Sequence, residues 1–158
     1  MERIALFPGS FDPFTIGHES IVKRGLSLFD KIIIAIGSNS DKAGFFPVEK
    51  RIQWIKQVFE YEEKVMVAQY TGLTVEFCKE VGAQFIIRGL RTSADFEYER
   101  SIAQVNKAMA PEIESVFILT APEHASVTSS IVRDIIRHGG DASKFLPNSQ
   151  ELKNLRIH

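Results

Sequence analysis

Groups that bind phosphate recur along this sequence of 158 residues. Lys42, Arg88 and Arg91 supply positive charge, and an arginine can hold a phosphate through two parallel hydrogen bonds. A glycine such as Gly9 lets the backbone approach an oxyanion closely. A hydroxyl such as that of Ser129 can open a helix, whose free N–H groups attract anions. These residue types together indicate a site for a ligand that carries several phosphates.

Two common nucleotide-binding motifs do not occur in the sequence. There is no G-x-x-x-x-G-K-[ST] loop, which argues against γ-phosphoryl transfer of the P-loop kind. There is also no G-x-G-x-x-G after the first apolar run, which argues against a dinucleotide site of the nicotinamide type. No cluster of carboxylates suggests a metal site held by the protein, so we expect a Mg²⁺ ion to be carried by a bound nucleotide.

The composition limits which cellular compartments and which binding partners we expect. Nineteen basic and twenty acidic residues give a net charge of -1, which argues against a broad surface for nucleic acid or an anionic membrane. The single cysteine, Cys78, cannot form an internal disulfide, and its helical neighbourhood predicts a buried packing residue. The longest aliphatic run, residues 32–36, is too short to span a bilayer, and the N-terminus lacks the apolar segment of a signal peptide. We therefore expect a cytoplasmic protein with no nucleic-acid or membrane partner.

Short apolar runs alternate with longer segments of helical period, the pattern of an α/β fold. The apolar runs predict strands at residues 3–7, 31–36, 65–68, 85–87 and 115–119. The periodic segments predict helices at residues 18–29, 48–59, 73–81, 96–109 and 129–137, with a short C-terminal helix from about residue 149. We predict one domain over residues 1–158, with a doubly wound, Rossmann-like, five-stranded parallel sheet and helices on both faces.

A polar segment follows each predicted strand, where ligands of doubly wound folds bind. These segments are residues 8–18, 38–42, 71–74, 88–91 and 124–130. Each group has an ordinary alternative role: Thr15, Ser129 and Ser130 could merely cap helices, and His18 could be structural. Their recurrence at one edge of the sheet favours a phosphate site.

Residues 15–18, Thr-Ile-Gly-His, resemble the T-x-G-H signature of nucleotidyltransferases related to the aminoacyl-tRNA synthetases with a His-Ile-Gly-His motif. The signature is preceded by Pro-Gly-Ser-Phe-Asp-Pro at residues 8–13 and followed by Ile-Arg-Gly-Leu-Arg at residues 87–91. Ala-Asp-Phe-Glu-Tyr-Glu at residues 94–99 and Phe-Leu-Pro at residues 145–147 complete the set. The combination resembles the pantetheine-phosphate adenylyltransferases.

The resemblance runs from about residue 3 to residue 147 and implies a specific reaction. An enzyme of this family transfers the adenylyl group of ATP to 4′-phosphopantetheine, giving dephospho-coenzyme A and pyrophosphate. It implies a homohexamer that needs Mg²⁺ and is inhibited by coenzyme A. Because the acceptor phosphate is already ionised near neutral pH, we expect direct in-line displacement without a covalent intermediate.

The resemblance also implies roles for individual residues. For catalysis it and the chemistry of the side chains point to His18, Lys42 and Arg91. For the acceptor it points to Ser10, Lys42, Thr74 and Arg88. For ATP it points to Ser10, Phe11, His18, Gly89, Leu90, Arg91, Glu99, His124, Ala125, Ser126, Val127, Thr128, Ser129 and Ser130.

The sequence departs from the family pattern at three positions. Ser10 replaces a common threonine but keeps the hydroxyl, and Thr128 replaces a serine. His124 stands where tyrosine or tryptophan is common, which leaves the adenine contact open. The charge of His18 is also open, because a helix N-terminus disfavours imidazolium and phosphates favour it. We expect removal of His18 to leave folding nearly normal.

Three alternatives remain at this stage. A related enzyme could use nicotinamide mononucleotide or a cytidylyl donor with the same T-x-G-H chemistry. A non-catalytic coenzyme A sensor could share the fold, although His18, Lys42 and Arg91 argue against it. A flavin or nicotinamide redox module would lack its usual fingerprint.

Overall fold

A computed structural model describes residues 1–38 and 44–154. Five parallel strands form one sheet in the order β3-β2-β1-β4-β5. The strands are β1 Ile4–Gly9, β2 Lys31–Gly37, β3 Val65–Tyr70, β4 Phe85–Leu90 and β5 Glu114–Leu119. The helices are α1 Ile16–Gly25, α2 Val48–Val58, α3 Thr74–Val81, α4 Ser93–Met109, α5 Ser129–Arg137 and α6 Gln150–Lys153. The predicted doubly wound, Rossmann-like parallel sheet is confirmed.

Helices cover both faces of the sheet because the strands are apolar on both sides. Phe7, Ile32 and Ile34 pack on one face with Ile21 of α1 and Ile55 of α2. On the other face, Leu6, Ile33 and Ile86 pack with Val75 and Cys78 of α3. Cys78 is fully buried, as expected, and burial raises the pKa of its thiol to about 11.

A third apolar cluster packs α5 against α2. Trp54 of α2 packs with Val132 and Ile136 of α5, and Leu146 and Leu152 extend the cluster to the C-terminal segment. This packing determines where the N-terminus of α5 lies relative to the sheet.

The strands run further at their carboxyl ends than the sequence predicted. Arg88, Gly89 and Leu90, which we expected in a loop, belong to β4, because Gly89 and Leu90 pair with Ile118 and Leu119 of β5. β1 likewise continues to Gly9. Polar and glycine residues end an apolar run in the sequence, but the backbone ladder does not depend on apolar side chains.

Several helix boundaries also differ from prediction. α1 ends at Gly25 and not at residue 29, because the N–H groups of Asp30 and Lys31 already pair with the Arg3 carbonyl oxygen beside β1. α4 begins at Ser93, three residues early, because the Thr92 hydroxyl accepts a hydrogen bond from Asp95 N at 3.2 Å. In the described residues, no helix is both long and apolar enough to cross a membrane.

Candidate active site

Two adjoining pockets open at the carboxyl edge of the sheet, where β1 lies between β2 and β4. This is the point at which the strand order reverses, the usual ligand position in doubly wound folds. The His18 pocket is lined by residues that include His18, Gly89, Arg91, His124, Ser129 and Arg133. The Thr74 pocket is lined by residues that include Tyr70, Thr74, Tyr98, Ile102, Asn106 and Phe117.

A shared wall separates the two pockets. Pro8, Gly9, Ser10, Arg88 and Glu99 line both of them. Two ligands bound one in each pocket would therefore meet at a hydroxyl and a guanidinium. This geometry suits a reaction in which one anionic ligand attacks another.

Close packing shapes the loop between β1 and α1. Phe11 takes a positive φ of 47°, and its ring is buried against Phe7 and Phe14, with ring centroids 5.1 and 5.4 Å apart. A Cβ on Gly9 would lie 2.9 Å from the Phe11 ring, closer than real Cβ atoms approach other atoms. Gly9 is thus required by the Phe11 ring in addition to any approach to a ligand.

His18 takes part in a capping box at the start of α1. The Thr15 hydroxyl accepts from His18 N at 3.4 Å, and the Thr15 N–H donates to His18 Nδ1 at 2.9 Å. Because Nδ1 accepts this bond, the proton of a neutral ring lies on Nε2. The capping box therefore selects the tautomer that keeps Nε2 as a donor.

The protein groups around His18 favour the neutral form of its ring. Burial, followed by the charges of Arg88 and Arg91, lowers the pKa of the imidazole to about 3. His18 is therefore neutral near pH 7. The His18 ring also contacts Phe11 and Phe14, with ring centroids 5.0 and 5.3 Å apart. The side chain therefore contributes both a helix cap and aromatic packing. For this reason we correct the expectation that folding stays nearly normal without His18.

We expect the His18 ring to stay neutral from about pH 8 down to about pH 5. Its folded pKa of about 3 lies below the ordinary 6.5, so the unfolded chain binds more protons between these values. The free energy of unfolding should consequently fall as pH drops from 6.5 towards 3. Ring-nitrogen NMR, assigned by comparison with His18→Asn, should show Nε2–H throughout. A midpoint near 6.5 would contradict the assignment.

Arg88 is held rigidly between β1 and α4. Its Nε and Nη2 donate to the two carboxylate oxygens of Glu99 at 3.0 and 2.8 Å, and Nη1 donates to the Pro8 carbonyl oxygen. Arg91 is held more loosely, since Asp95 accepts from its backbone N–H at 3.1 Å and lies 3.3 Å from its Nε. Both cations that sequence analysis singled out after the fourth strand face the His18 pocket.

The N-terminus of α5 forms the opposite wall of the His18 pocket. Thr128 caps this helix by accepting from Ile131 N at 3.1 Å, so the capping role considered for Ser129 and Ser130 falls to their neighbour. Ser129 Oγ instead donates to the Pro13 carbonyl oxygen at 2.8 Å, which joins α5 to the β1–α1 loop. Thr128, Ser129 and Ser130 thus line the same cavity as His18. A helix N-terminus at this position favours an anionic ligand.

The other predicted site residues line one of the two pockets, line neither, or lie outside the described residues. Thr74 lines its pocket, with its hydroxyl 2.8 Å from the Tyr70 hydroxyl. His124 lines the His18 pocket, and its buried Nδ1 has no hydrogen-bond partner among the described residues. The residues that line neither pocket are Leu90, Ala125 and Ser126. Lys42 lies outside the described residues.

Sequence reasoning missed Arg133 and Thr120, which also line the His18 pocket. Arg133 donates to the Asp12 carbonyl oxygen at 2.8 Å and to Ser130 Oγ at 3.1 Å. Its position three residues after Ser130 places both on one side of α5, a spacing that could have revealed it. No local pattern pointed to Thr120, which reaches the pocket through the pairing of its N–H with the Leu90 carbonyl oxygen.

The donor set of the pocket fits a Mg²⁺ ion carried by a nucleotide better than one held by the protein. In the described ranges there is no group of three His, Cys, Asp or Glu residues that could hold a metal. The carboxylates at the pocket, Asp95 and Glu99, pair with Arg91 and Arg88. An ion bound to phosphate oxygens and water needs no such ligands.

Comparisons with known proteins agree with this geometry. Residues 6–135 match the cytidylyltransferase-like family model. The phosphopantetheine adenylyltransferase of Cytophaga hutchinsonii is 54% identical over 93% of this chain and 98% of its own length. That of Bacteroides fragilis is 45% identical over 95% and 99%.

Solved structures share the fold at low identity. A putative nicotinate-nucleotide adenylyltransferase from Vibrio parahaemolyticus has a TM-score of 0.68 and 18% identity, covering 92% of this chain and 94% of that one. A bifunctional NMN adenylyltransferase/ADP ribose pyrophosphatase from Francisella tularensis has a TM-score of 0.67 and 20% identity over 96% of this chain, which spans 46% of that longer protein. These solved structures show the shared fold, whereas the more similar sequences show the family. The chain belongs to the phosphopantetheine adenylyltransferases, within the cytidylyltransferase-like family.

Proposed function

We propose that the chain transfers the adenylyl group of ATP to the phosphate of 4′-phosphopantetheine, forming dephospho-coenzyme A and pyrophosphate in coenzyme A biosynthesis. Membership of the family supports the reaction. The observation that carries it here is the pair of adjoining pockets that share Ser10 and Arg88. One pocket has the helix N-terminus that a triphosphate needs, and the other has the partly apolar lining that a pantetheine arm needs.

The reaction is an in-line displacement. A phosphate oxygen of the acceptor forms a bond to the α-phosphorus of ATP while the bond from that phosphorus to the bridging oxygen breaks, and pyrophosphate leaves with the electron pair. No proton has to be removed from an already ionised acceptor. The protein therefore contributes alignment and stabilisation of charge on the α-phosphoryl oxygens.

His18 is the donor proposed for the α-phosphoryl group. Its ring is neutral and its Nδ1 is occupied by the Thr15 N–H, which leaves Nε2–H for a ligand. A neutral donor stabilises growing negative charge most in the transition state and binds the ground state weakly. We assign Arg91 and Lys42 the same electrostatic task by family resemblance.

The remaining groups would bind the other parts of ATP and the phosphate and pantetheine arm of the acceptor. The N-terminus of α5, with Ser129 and Ser130, would hold the β- and γ-phosphates, and Arg133 would add positive charge there. The rest of the ATP site would be formed by residues that line the His18 pocket, Phe11, Gly89, Glu99, His124, Val127 and Thr128. The family resemblance adds Leu90, Ala125 and Ser126, which line neither pocket. Arg88 would hold the acceptor phosphate, with Ser10 beside it and Thr74 near the pantetheine arm. A Mg²⁺ ion on the triphosphate would neutralise part of its charge.

A coupled assay of pyrophosphate release tests the function. We expect pyrophosphate only when ATP and 4′-phosphopantetheine are both present, with dephospho-coenzyme A as the second product. Nicotinamide mononucleotide in place of the acceptor, and CTP in place of ATP, should give no product. Release of ADP or orthophosphate would show that another phosphoryl bond is attacked, and a strict requirement for nicotinamide mononucleotide would move the chain to a related activity.

We also propose the homohexamer, the coenzyme A inhibition and the cytoplasmic location that the family resemblance implies. Four exposed apolar residues of α4, Tyr98, Ile102, Val105 and Met109, follow one another at helical spacing and support burial against a second copy. Light scattering should then give about six times the chain mass of 17.8 kDa. Coenzyme A contains the pantetheine arm and an adenylate, so it could occupy both pockets and raise the KM for the acceptor.

A further inference from the structure

Arg51 is a buried cation at a helix end that disfavours positive charge. It lies in the first turn of α2, where the helix dipole is positive, and 8% of the residue is exposed. A buried charge is costly unless it is paired and hydrogen-bonded. Arg51 lines neither of the two pockets, so no ligand contact explains its place. Its partners within the protein must therefore explain it.

The guanidinium of Arg51 joins three segments of the chain. Its Nε donates to the Phe46 carbonyl oxygen at 3.0 Å and lies 3.8 Å from Asp12 Oδ1. The Asp12 carboxylate is also buried and accepts from the N–H groups of Phe45 and Phe46 at 2.7 and 2.9 Å. Nη1 of Arg51 donates to the Ser10 carbonyl oxygen at 2.7 Å. Asp12 thus neutralises the guanidinium, and the guanidinium holds one carbonyl group of the β1–α1 loop.

The bond to Ser10 fixes the direction of the Ser10–Phe11 peptide. A trans peptide is planar, so its N–H points away from its C=O. Because the Ser10 carbonyl oxygen points to Arg51, the Phe11 N–H points away from Arg51. This N–H has no hydrogen-bond partner among the described residues. Ser10 lines both pockets and Phe11 lines the His18 pocket, so the peptide lies at the edge of both cavities.

The backbone could also adopt the reversed orientation of this peptide. Phe11 has a positive φ of 47°, a conformation that costs free energy in a residue other than glycine. Reversal of the peptide plane would bring φ of Phe11 into the common extended region. It would also turn the Ser10 carbonyl oxygen away from Arg51 and towards the pockets. A carbonyl oxygen there would repel phosphate, because both carry negative charge.

We propose that Arg51 is a positioning residue, which holds the Ser10–Phe11 peptide with its N–H, and not its carbonyl oxygen, facing the anionic substrates. This proposal rests on the proposed function, which places two anions beside Ser10. Arg51 contacts neither substrate and acts through its bond to the Ser10 carbonyl oxygen. Phe46 and Asp12 keep the guanidinium in place for that bond.

Arg51→Met tests the role, because methionine fills similar space but donates no hydrogen bond. Calorimetry with each substrate alone should show roughly tenfold weaker affinities for ATP and for 4′-phosphopantetheine. A crystal structure of the variant should show a negative φ at Phe11 and the Ser10 carbonyl oxygen turned towards the pockets. Unchanged affinities, or an unchanged orientation of the peptide, would refute the role.

Ile33→Ala is the control for lost stability. Ile33 is buried in the cluster on the α3 side of the sheet and lines neither pocket. Its truncation leaves a cavity, which should lower the melting temperature and leave both substrate affinities unchanged. If Ile33→Ala weakens both substrates as much as Arg51→Met does, the loss reflects general destabilisation and the positioning role is wrong.

Arg51→Lys takes the place of Arg51→Met if the methionine variant does not fold. Lysine keeps the positive charge beside Asp12 but has a single nitrogen in place of the guanidinium fork. It cannot bond the Ser10 and Phe46 carbonyl oxygens with the same geometry, so both substrate affinities should still fall. Wild-type affinities in Arg51→Lys would count against the role.

Wild-type binding separates this proposal from the proposed function. If the wild type binds ATP but neither binds 4′-phosphopantetheine nor releases pyrophosphate, the proposed function is wrong. The effect of Arg51→Met on ATP affinity then still tests the positioning role. If the wild type is active and Arg51→Met binds both substrates as the wild type does, the function stands and the positioning role is wrong.

Discussion

His18→Ala should lower kcat by about 10²–10³ while changing both substrate affinities much less. The neutral ring has Nδ1 engaged by the Thr15 N–H, so its Nε2–H is the donor that remains for the proposed contact with ATP. A hydrogen bond from that donor strengthens as charge develops on the α-phosphoryl oxygens. The measurements are kcat from pyrophosphate release and the two dissociation constants from calorimetry.

Stability must be separated from catalysis in this variant. His18→Ala removes half of the capping box and a ring that contacts Phe11 and Phe14, so a moderate fall in stability is expected. Thr15→Ala is the control, because it removes the capping hydroxyl, at a cost of about 1 kcal/mol, and keeps the imidazole. It should lower the melting temperature and leave kcat within a few-fold of wild type. If His18→Ala behaves in the same way, His18 is structural and the mechanism fails.

Arg88→Ala should weaken the binding of 4′-phosphopantetheine by roughly ten- to a hundredfold, corresponding to about 1.5–3 kcal/mol for a charge-assisted contact. The side chain borders both pockets, and two of its five N–H donors bond neither Glu99 nor Pro8. Its loss also leaves the buried Glu99 without its partner, which adds repulsion of the acceptor phosphate. Titration calorimetry with the acceptor alone measures the effect.

Arg88→Lys separates the effect of the positive charge on acceptor affinity from that of the guanidinium shape, and Arg24→Ala serves as a control. Arg88→Lys keeps the positive charge but loses the bidentate fork, so it should recover part of the acceptor affinity and not all of it. Arg24→Ala removes another arginine, whose Nη1 contacts the Leu119 carbonyl oxygen away from both pockets, and should leave the affinity unchanged. Unaltered acceptor binding in Arg88→Ala would remove Arg88 from the acceptor site.

Much of the fold could be predicted from the local pattern of apolar and polar residues in the sequence. Runs such as Ile32–Ile33–Ile34 are apolar on both faces of a strand, and only a sheet covered on both sides can bury them. α5 was predicted with its observed boundaries because its apolar period is strong and a hydroxyl residue precedes it. The carboxyl ends of β1 and β4 were missed because backbone pairing, which extends them to Gly9 and Leu90, leaves no signature in side-chain polarity.

The sequence by itself determined the alternation of strands and helices, the edge of the sheet where polar groups gather, and the family. Those features depend on residue type and on spacing along the chain. The tertiary structure decided what depends on distant partners: the neutral charge state of His18, which follows from burial and from the charges of Arg88 and Arg91, and the bidentate pairing of Arg88 with Glu99. It also brought Arg133, from α5, against the loop that precedes α1. Hydrogen bonds and charge interactions act across space, so groups separated by many residues in sequence acquire their roles only when the chain has folded.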